Sequence, residues 1–298
     1  MAVCTLCPRR CGRDREKERG LCGAGDALLL ARAAPHFWEE PCLSGTRGSG
    51  ALFFSGCTLR CAYCQNYEIS RAQKGFAVSD DRFIEILFAL KEKGVHNINL
   101  VTADPYVARL ALLLKKVKKE LALPVVFNGS GYESEEMLTL LDGAVDVYLP
   151  DCKYADAGLA ERLSGAPDYP DVVRKALRRM YEQVGKPRFD KEGILQKGVL
   201  VRHLVLPGCR ADSLAVLALL GKLFRRDEIL LSLMSQFTPN GRAGGPSRRL
   251  TRFEYESVAA YAKTLGFDGY FQDFSSQSAQ YTPSFEGEGV TEDGKGSA

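Results

Sequence analysis

Cys57, Cys61 and Cys64 fall within the stretch Gly56-Cys57-Thr58-Leu59-Arg60-Cys61-Ala62-Tyr63-Cys64-Gln65-Asn66, and their x3 and x2 spacing constrains this chain more than any other feature. Three thiolates on one loop are an incomplete ligand set. A structural zinc site closes with four protein ligands, and no fourth Cys or His stands nearby in sequence. A 4Fe–4S cluster suits three thiolates, since each takes one iron of the cube and the fourth iron stays open. Two plainer readings stand beside it: a zinc site completed by the distant Cys42 or His36, and three buried thiols with no ligand. Context favours the cluster. Ala51-Leu52-Phe53-Phe54-Ser55-Gly56 reads as a short buried strand feeding the loop, and strand C-termini are where parallel α/β barrels place their chemistry.

After that loop the pattern alternates between helix and strand, as in a mostly parallel sheet with crossover helices. Strands are expected at 51–56, 97–102, 124–128, 146–151, 199–206 and 228–237, and helices at 80–93, 105–121, 134–141, 171–184, 212–224 and 252–265. Gly269 to Phe274 adds a short extension. Six βα units are too few for a closed eight-fold barrel, so the expected fold class is α/β, a partial (β/α)6 barrel open on one side. The 298 residues, 45% hydrophobic, suffice for one such domain. Forty basic against 37 acidic side chains leave a net charge of only +3, which argues against a nucleic-acid or membrane partner. The N-terminus has no charged region followed by an apolar one, and apolar segments such as 214–220 fall far short of the about 20 residues of a membrane span. A cytoplasmic protein with reduced or metal-bound thiols is therefore expected, despite ten cysteines.

Four of those cysteines, Cys4, Cys7, Cys11 and Cys22, have x2, x3 and x10 spacing in a segment otherwise rich in Arg, Lys and Gly. Such a segment has no core of its own, so one metal held by four thiolates would stabilise it. Zinc and a second iron–sulfur cluster both suit the ligands, and unligated thiols are the bland alternative. Cys42, Cys152 and Cys209 read as small buried residues. The division expected is a cysteine-rich, metal-binding N-terminal segment over 1–45, the barrel over 46–285, and a disordered Gly- and acid-rich tail over 286–298.

The chain resembles the radical S-adenosylmethionine (SAM) proteins related to pyruvate formate-lyase activating enzyme, and within them a group with an N-terminal cysteine-rich segment. The resemblance rests on the cluster loop with Tyr63 before its last cysteine, on Cys4-Thr5-Leu6-Cys7-Pro8-Arg9-Arg10-Cys11-Gly12, on Glu39-Glu40-Pro41 through Gly50, on Leu149-Pro150-Asp151-Cys152-Lys153-Tyr154, on Val201 through Gly208, and on Ser232 through Pro239. It implies that Cys57, Cys61 and Cys64 hold a 4Fe–4S cluster whose open iron chelates SAM. An electron then cleaves the sulfonium and releases a 5′-deoxyadenosyl radical that removes hydrogen from a substrate.

The resemblance further implies that Tyr63 packs near the adenine, Thr102 and Asn128 approach SAM, Asp151 helps position cofactor or substrate, and Lys153 and Arg202 meet the SAM carboxylate. Each has a structural alternative: core filling for Tyr63, a strand end or tight turn for Thr102 and Asn128, and a salt bridge for Arg202. The Ala103-Asp104 pair departs from the family's Gly-Gly-Glu form. The implied reductant is a flavodoxin or ferredoxin. The implied substrate is a protein, as for a glycyl-radical activase, against the alternatives of a small molecule or of a non-catalytic electron carrier.

Overall fold

In the computed structural model, which describes residues 3–71, 74–277 and 282–291, the alternating pattern becomes ten strands. These are β1 (Leu28–His36), β2 (Ser49–Phe54), β3 (Phe76–Val78), β4 (Ile98–Val101), β5 (Val125–Asn128), β6 (Val147–Tyr148), β7 (Arg188–Phe189), β8 (Leu195–Leu204), β9 (Leu230–Met234) and β10 (Gly269–Phe271). They form one sheet in the order β10-β9-β8-β6-β5-β4-β2-β1-β3, with β7 hairpinned onto β8. Every neighbour from β2 to β10 along that path is parallel. The six strands read from the sequence are thus consecutive in the sheet, and β10 adds a seventh. The fold is α/β, with a mostly parallel sheet curved into a partial barrel.

The helices are α1 (Pro41–Ser44), α2 (Tyr67–Ser70), α3 (Asp80–Glu92), α4 (Val107–Leu121), α5 (Glu135–Leu141), α6 (Ala157–Ser164), α7 (Tyr169–Val184), α8 (Arg210–Leu223) and α9 (Arg252–Leu265). Their starts follow from local chemistry. Ser79 accepts from the Arg82 N–H with Asp80 and Asp81 in the first turn of α3, and Thr251 with Glu254 makes a capping box for α9. Alternation along the strands then sorts the side chains. Leu52, Phe54, Leu100, Phe127, Val199, Val201, Leu231 and Leu233 join the layer beneath the helices. Val126, Val147, Leu149, Leu200 and Leu230 face the barrel interior instead, where Cys42 and Leu43 of α1 pack among them.

That plug revises the expected division. The stretch 1–45 is not a separate appendage, because β1 pairs antiparallel with β2 from Leu30 to His36 and α1 fills the barrel. The strand is hard to see in sequence because it is rich in Ala and contains Pro35, both poor strand signals. Residues 286–291, expected to belong to a disordered tail, are instead placed against β1. β3 covers β1 only at Leu28–Leu30, and the exposed edge beyond is taken by Gly287 N–H to Ala31 O (3.0 Å) and Ala33 N–H to Glu288 O (2.8 Å). Edge strands need such cover. Residues 292–298 lie outside the described residues.

The three histidines lie against this framework and all resist protonation. His203, on β8, donates from Nδ1 to Cys152 O at 2.7 Å, and its Nε2 is buried without a partner. Burial pulls it down to about 4, and burial followed by nearby Arg32 does the same to His36. Folded-state values below the unfolded value of about 6.5 stabilise the fold above that pH, and this contribution is lost as pH falls toward 4. Melting temperature is therefore expected to fall as pH is lowered from 7 to 4.5, with His203→Gln showing a shallower decline in the same melts.

Candidate active site

The C-terminal strand ends converge on a cleft of about 410 Å³ lined by Phe53, Val101, Asn128, Asp151, Arg202, Leu204, Ser232, Met234 and Gln236, with Glu39 and Glu40 from the segment entering α1. The interior stripe that is apolar lower in the barrel becomes polar here. The same period-2 alternation that aims Val147 and Leu149 inward brings Asp151 to the same side. Gln65 and Asn66, immediately after the last cluster-loop cysteine, form part of the wall.

Arg202 is the hub. Its Nη2 donates to Asn128 Oδ1 (2.5 Å), Nε to Asp151 Oδ1 (3.1 Å) and Nη1 to Glu39 Oε2 (3.3 Å). Glu39 Oε1 accepts in turn from Asn99 (2.9 Å) and Asn128 (3.2 Å), and Lys153 Nζ donates to Asp151 Oδ2 at 2.6 Å. Burial opposes the charge on Asp151, but Lys153 and Arg202 outweigh it and hold the carboxyl below its ordinary range. Burial likewise opposes the Arg202 charge, and Asp151, Glu39 and Glu40 overcome it. Arg202 and Lys153, expected to meet a ligand carboxylate, already hold carboxylates of the chain. Both reach the cleft, but as members of a closed ionic network.

The cluster loop packs beside this network. Cys57, Cys61 and Cys64 are free, partly exposed thiols. Ser164 Oγ donates to Cys61 Sγ at 3.0 Å, and Cys64 Sγ lies 3.2 Å from Ser70 Oγ. Burial, then Asp104, then the other two thiols raise Cys57 well above the ordinary thiol range. Burial raises Cys61 too, against the pull of Lys153. Three thiols grouped on one loop without a fourth match the donor set of a cluster with one open iron. Among the described residues no three Cys, His, Asp or Glu side chains are drawn in to the spacing of a single metal ion.

Other expected residues are placed differently. Tyr63 is buried behind the loop, accepting from the Tyr154 hydroxyl at 2.7 Å and set edge-on to Tyr154 and Phe237, so its ring fills core and does not line the cleft. Thr102 ends β4 in the left-handed region (φ 59°) with its N–H on Asn128 O at 3.0 Å, the kind of backbone strain that collects at functional sites. Cys4, Cys7, Cys11 and Cys22 lie outside the cleft.

Sequence reasoning missed four carboxyls. Glu39 and Glu40 form part of the cleft; burial raises Glu40 despite nearby Arg202, and its Oε2 is buried without a partner. Asp104 and Glu133, 2% and 1% exposed, face one another as a pair. Burial raises both, Glu133 the more strongly because Asp104 further opposes its charge. The Ser130 N–H donates to Glu133 Oε1 at 2.9 Å, and a Cβ at Gly129 would lie 2.5 Å from that oxygen. The available signal was Gly129-Ser130-Gly131 preceding an acid at a strand end.

Residues 52–190 match the Radical SAM superfamily, a family that binds a 4Fe–4S cluster and SAM. An uncharacterised protein of Methanocaldococcus jannaschii is 28% identical over 277 residues, which cover 89% of this chain and 75% of that one. Among solved structures, a HydG maturase of the [FeFe]-hydrogenase superposes with a TM-score of 0.52 at 16% identity over 77% of this chain and 53% of its own. HydG from Carboxydothermus hydrogenoformans gives 0.51 at 13% identity over 80% and 61%. The chain thus spans less than two thirds of these structures, and at such identities they show the fold alone.

Removing the hub leaves Glu39 with amide donors alone and Asp151 with Lys153 alone. Arg202→Met is expected to cost ~3–5 kcal/mol of unfolding free energy, with Arg202→Lys retaining part of it, as read by urea denaturation of each variant.

Proposed function

We propose that this chain, which carries a radical SAM domain over residues 52–190, is an enzyme that uses SAM to take a hydrogen atom from a protein substrate, in the manner of a glycyl-radical activase. The observation that carries the radical SAM reading is the three-thiol loop beside a cleft at the C-terminal strand ends. When bound through Cys57, Cys61 and Cys64, the cluster and SAM supply a 5′-deoxyadenosyl radical. The chain's own residues bind, orient and shield. Lys153 lies close enough to oppose the charge of Cys61 while holding Asp151, so it sits between loop and cleft, where a cofactor carboxylate would exchange with Asp151. Asn128 and Thr102 offer polar contacts at the ends of neighbouring strands β5 and β4. Glu133 and its partner Asp104 place an acid pair near Cys57, suited to an ammonium group.

A protein substrate is favoured by the rim. Trp38 (61% exposed) and Phe271 (38% exposed) line the cleft yet face solvent, and exposed aromatic rims suit polypeptide docking. A small-molecule substrate is the second reading, since the cleft volume lies in the range of small-ligand pockets. An electron carrier has no use for the cleft.

Anaerobically reconstituted protein, reduced by dithionite or flavodoxin, is expected to release 5′-deoxyadenosine from SAM, and a Cys57→Ala/Cys61→Ala/Cys64→Ala variant is expected to release none. A wild type with a complete, reducible cluster that leaves SAM intact would overturn the enzyme reading. If the substrate is a protein, the macromolecular fraction of an anaerobic cell extract stimulates release and the small-molecule fraction does not.

A further inference from the structure

Cys4, Cys7, Cys11 and Cys22 are free thiols in a segment with no core of its own: of residues 3–25, Ala24 alone joins the buried apolar set. The backbone there is nevertheless well defined. Cys4 and Arg13 form an antiparallel bridge, with Cys4 N–H on Arg13 O at 2.9 Å and Gly12 N–H on Cys4 O at 3.0 Å. The turn between them closes through Arg10 N–H to Cys7 O at 2.9 Å and places Arg10 in the left-handed region, φ 39°, a conformation a non-glycine adopts only at a cost. The chain then returns so that a Cβ on Gly20 would lie 3.3 Å from Cys22 Sγ and 3.6 Å from Cys11 Sγ. Two sulfurs therefore flank one glycine.

This knuckle bears directly on the cluster loop. Cys57 N–H donates to Cys22 O at 2.9 Å, and a Cβ on Gly56 would meet that oxygen at 2.8 Å. Arg9 donates to Thr58 O at 2.9 Å, to Ser164 O at 3.0 Å and to Gly165 O, while its guanidinium covers the Tyr132 ring at 5.2 Å. The first cysteine of the cluster loop is thus hydrogen-bonded to the last cysteine of the knuckle.

We propose that Cys4, Cys7, Cys11 and Cys22, which are not drawn in to the spacing of a single ion here, close on a metal to form a four-thiolate centre, filled by a zinc ion or by a second iron–sulfur cluster, and that it fixes the knuckle as part of the frame holding Cys57. Four protein ligands leave no open position, so the centre is positional and binds no substrate. Ligation offsets the backbone strain of a segment without a core, as metal binding does in small domains of that kind.

The test is metal and sulfide analysis with X-ray absorption on the Cys57→Ala/Cys61→Ala/Cys64→Ala variant. One zinc without sulfide, or about four irons with as much sulfide, in an all-sulfur shell supports the proposal and names the occupant. Adding Cys7→Ser and Cys11→Ser is expected to remove it. No metal in the folded triple variant after zinc or iron–sulfide supplementation, or metal that survives Cys7→Ser/Cys11→Ser, overturns it. If the triple variant does not fold, the metal lost from wild type on introducing Cys7→Ser/Cys11→Ser alone decides the same question. The framing role has its own readout. Arg9→Ala, which leaves all seven cysteines in place, is expected to keep the knuckle metal but to lose loop iron to a chelator several-fold faster than wild type; an unchanged rate overturns that role.

Discussion

The guanidinium of Arg202 is the group around which the barrel mouth is built. It is buried at the end of a central strand and ties together three elements remote in sequence: Asn128 on β5, Asp151 after β6, and Glu39 at the entrance to α1. A buried cation without partners is prohibitive, and one with well-oriented partners is roughly neutral for stability while demanding that every partner be in place. The N-terminal plug is thereby held in the barrel by charge at Glu39 as well as by the packing of Cys42 and Leu43. The balance of charge is informative. Arg202 and Lys153 are matched by Asp151 and Glu39, and at a third carboxyl, Glu40, burial outweighs the pull of Arg202 and raises it. The cleft presents a satisfied ionic network beside that acid, and an anionic ligand must exchange with a resident carboxylate to enter it.

The parts of this arrangement legible in sequence are those carried by local pattern. Six parallel strands and six helices follow from periodicity and caps, and the cluster loop from cysteine spacing, because each is written within a short window. Asp151, Lys153 and Arg202 were also visible, since charges at the polar end of an apolar strand have few roles. What was hidden depends on partners far away. Nothing local says that Glu39 would find Arg202, that Glu133 would lie against Asp104, or that Tyr63 would turn into an aromatic cluster with Tyr154 and Tyr169. β1 was hidden for a different reason: Ala-rich strands take their stability from pairing and burial, and its hydrogen bonds are made to β2, to β3 and to residues near 287.

The cluster loop shows the same division between local signature and distant support. Its cysteines are close in sequence, but its backbone has no secondary structure of its own, and its N–H groups must find acceptors elsewhere. They find them on Ile69 for Gly56, Cys22 for Cys57, and Ser164 and Leu163 for Arg60 and Ala62. Three separate parts of the chain therefore fix the loop, and burial raises Cys57 and Cys61 within it. Thiolates at these two positions would be costly without a bound metal to take up their charge. A loop held by remote acceptors takes its shape from the segments around the motif and not from the motif itself.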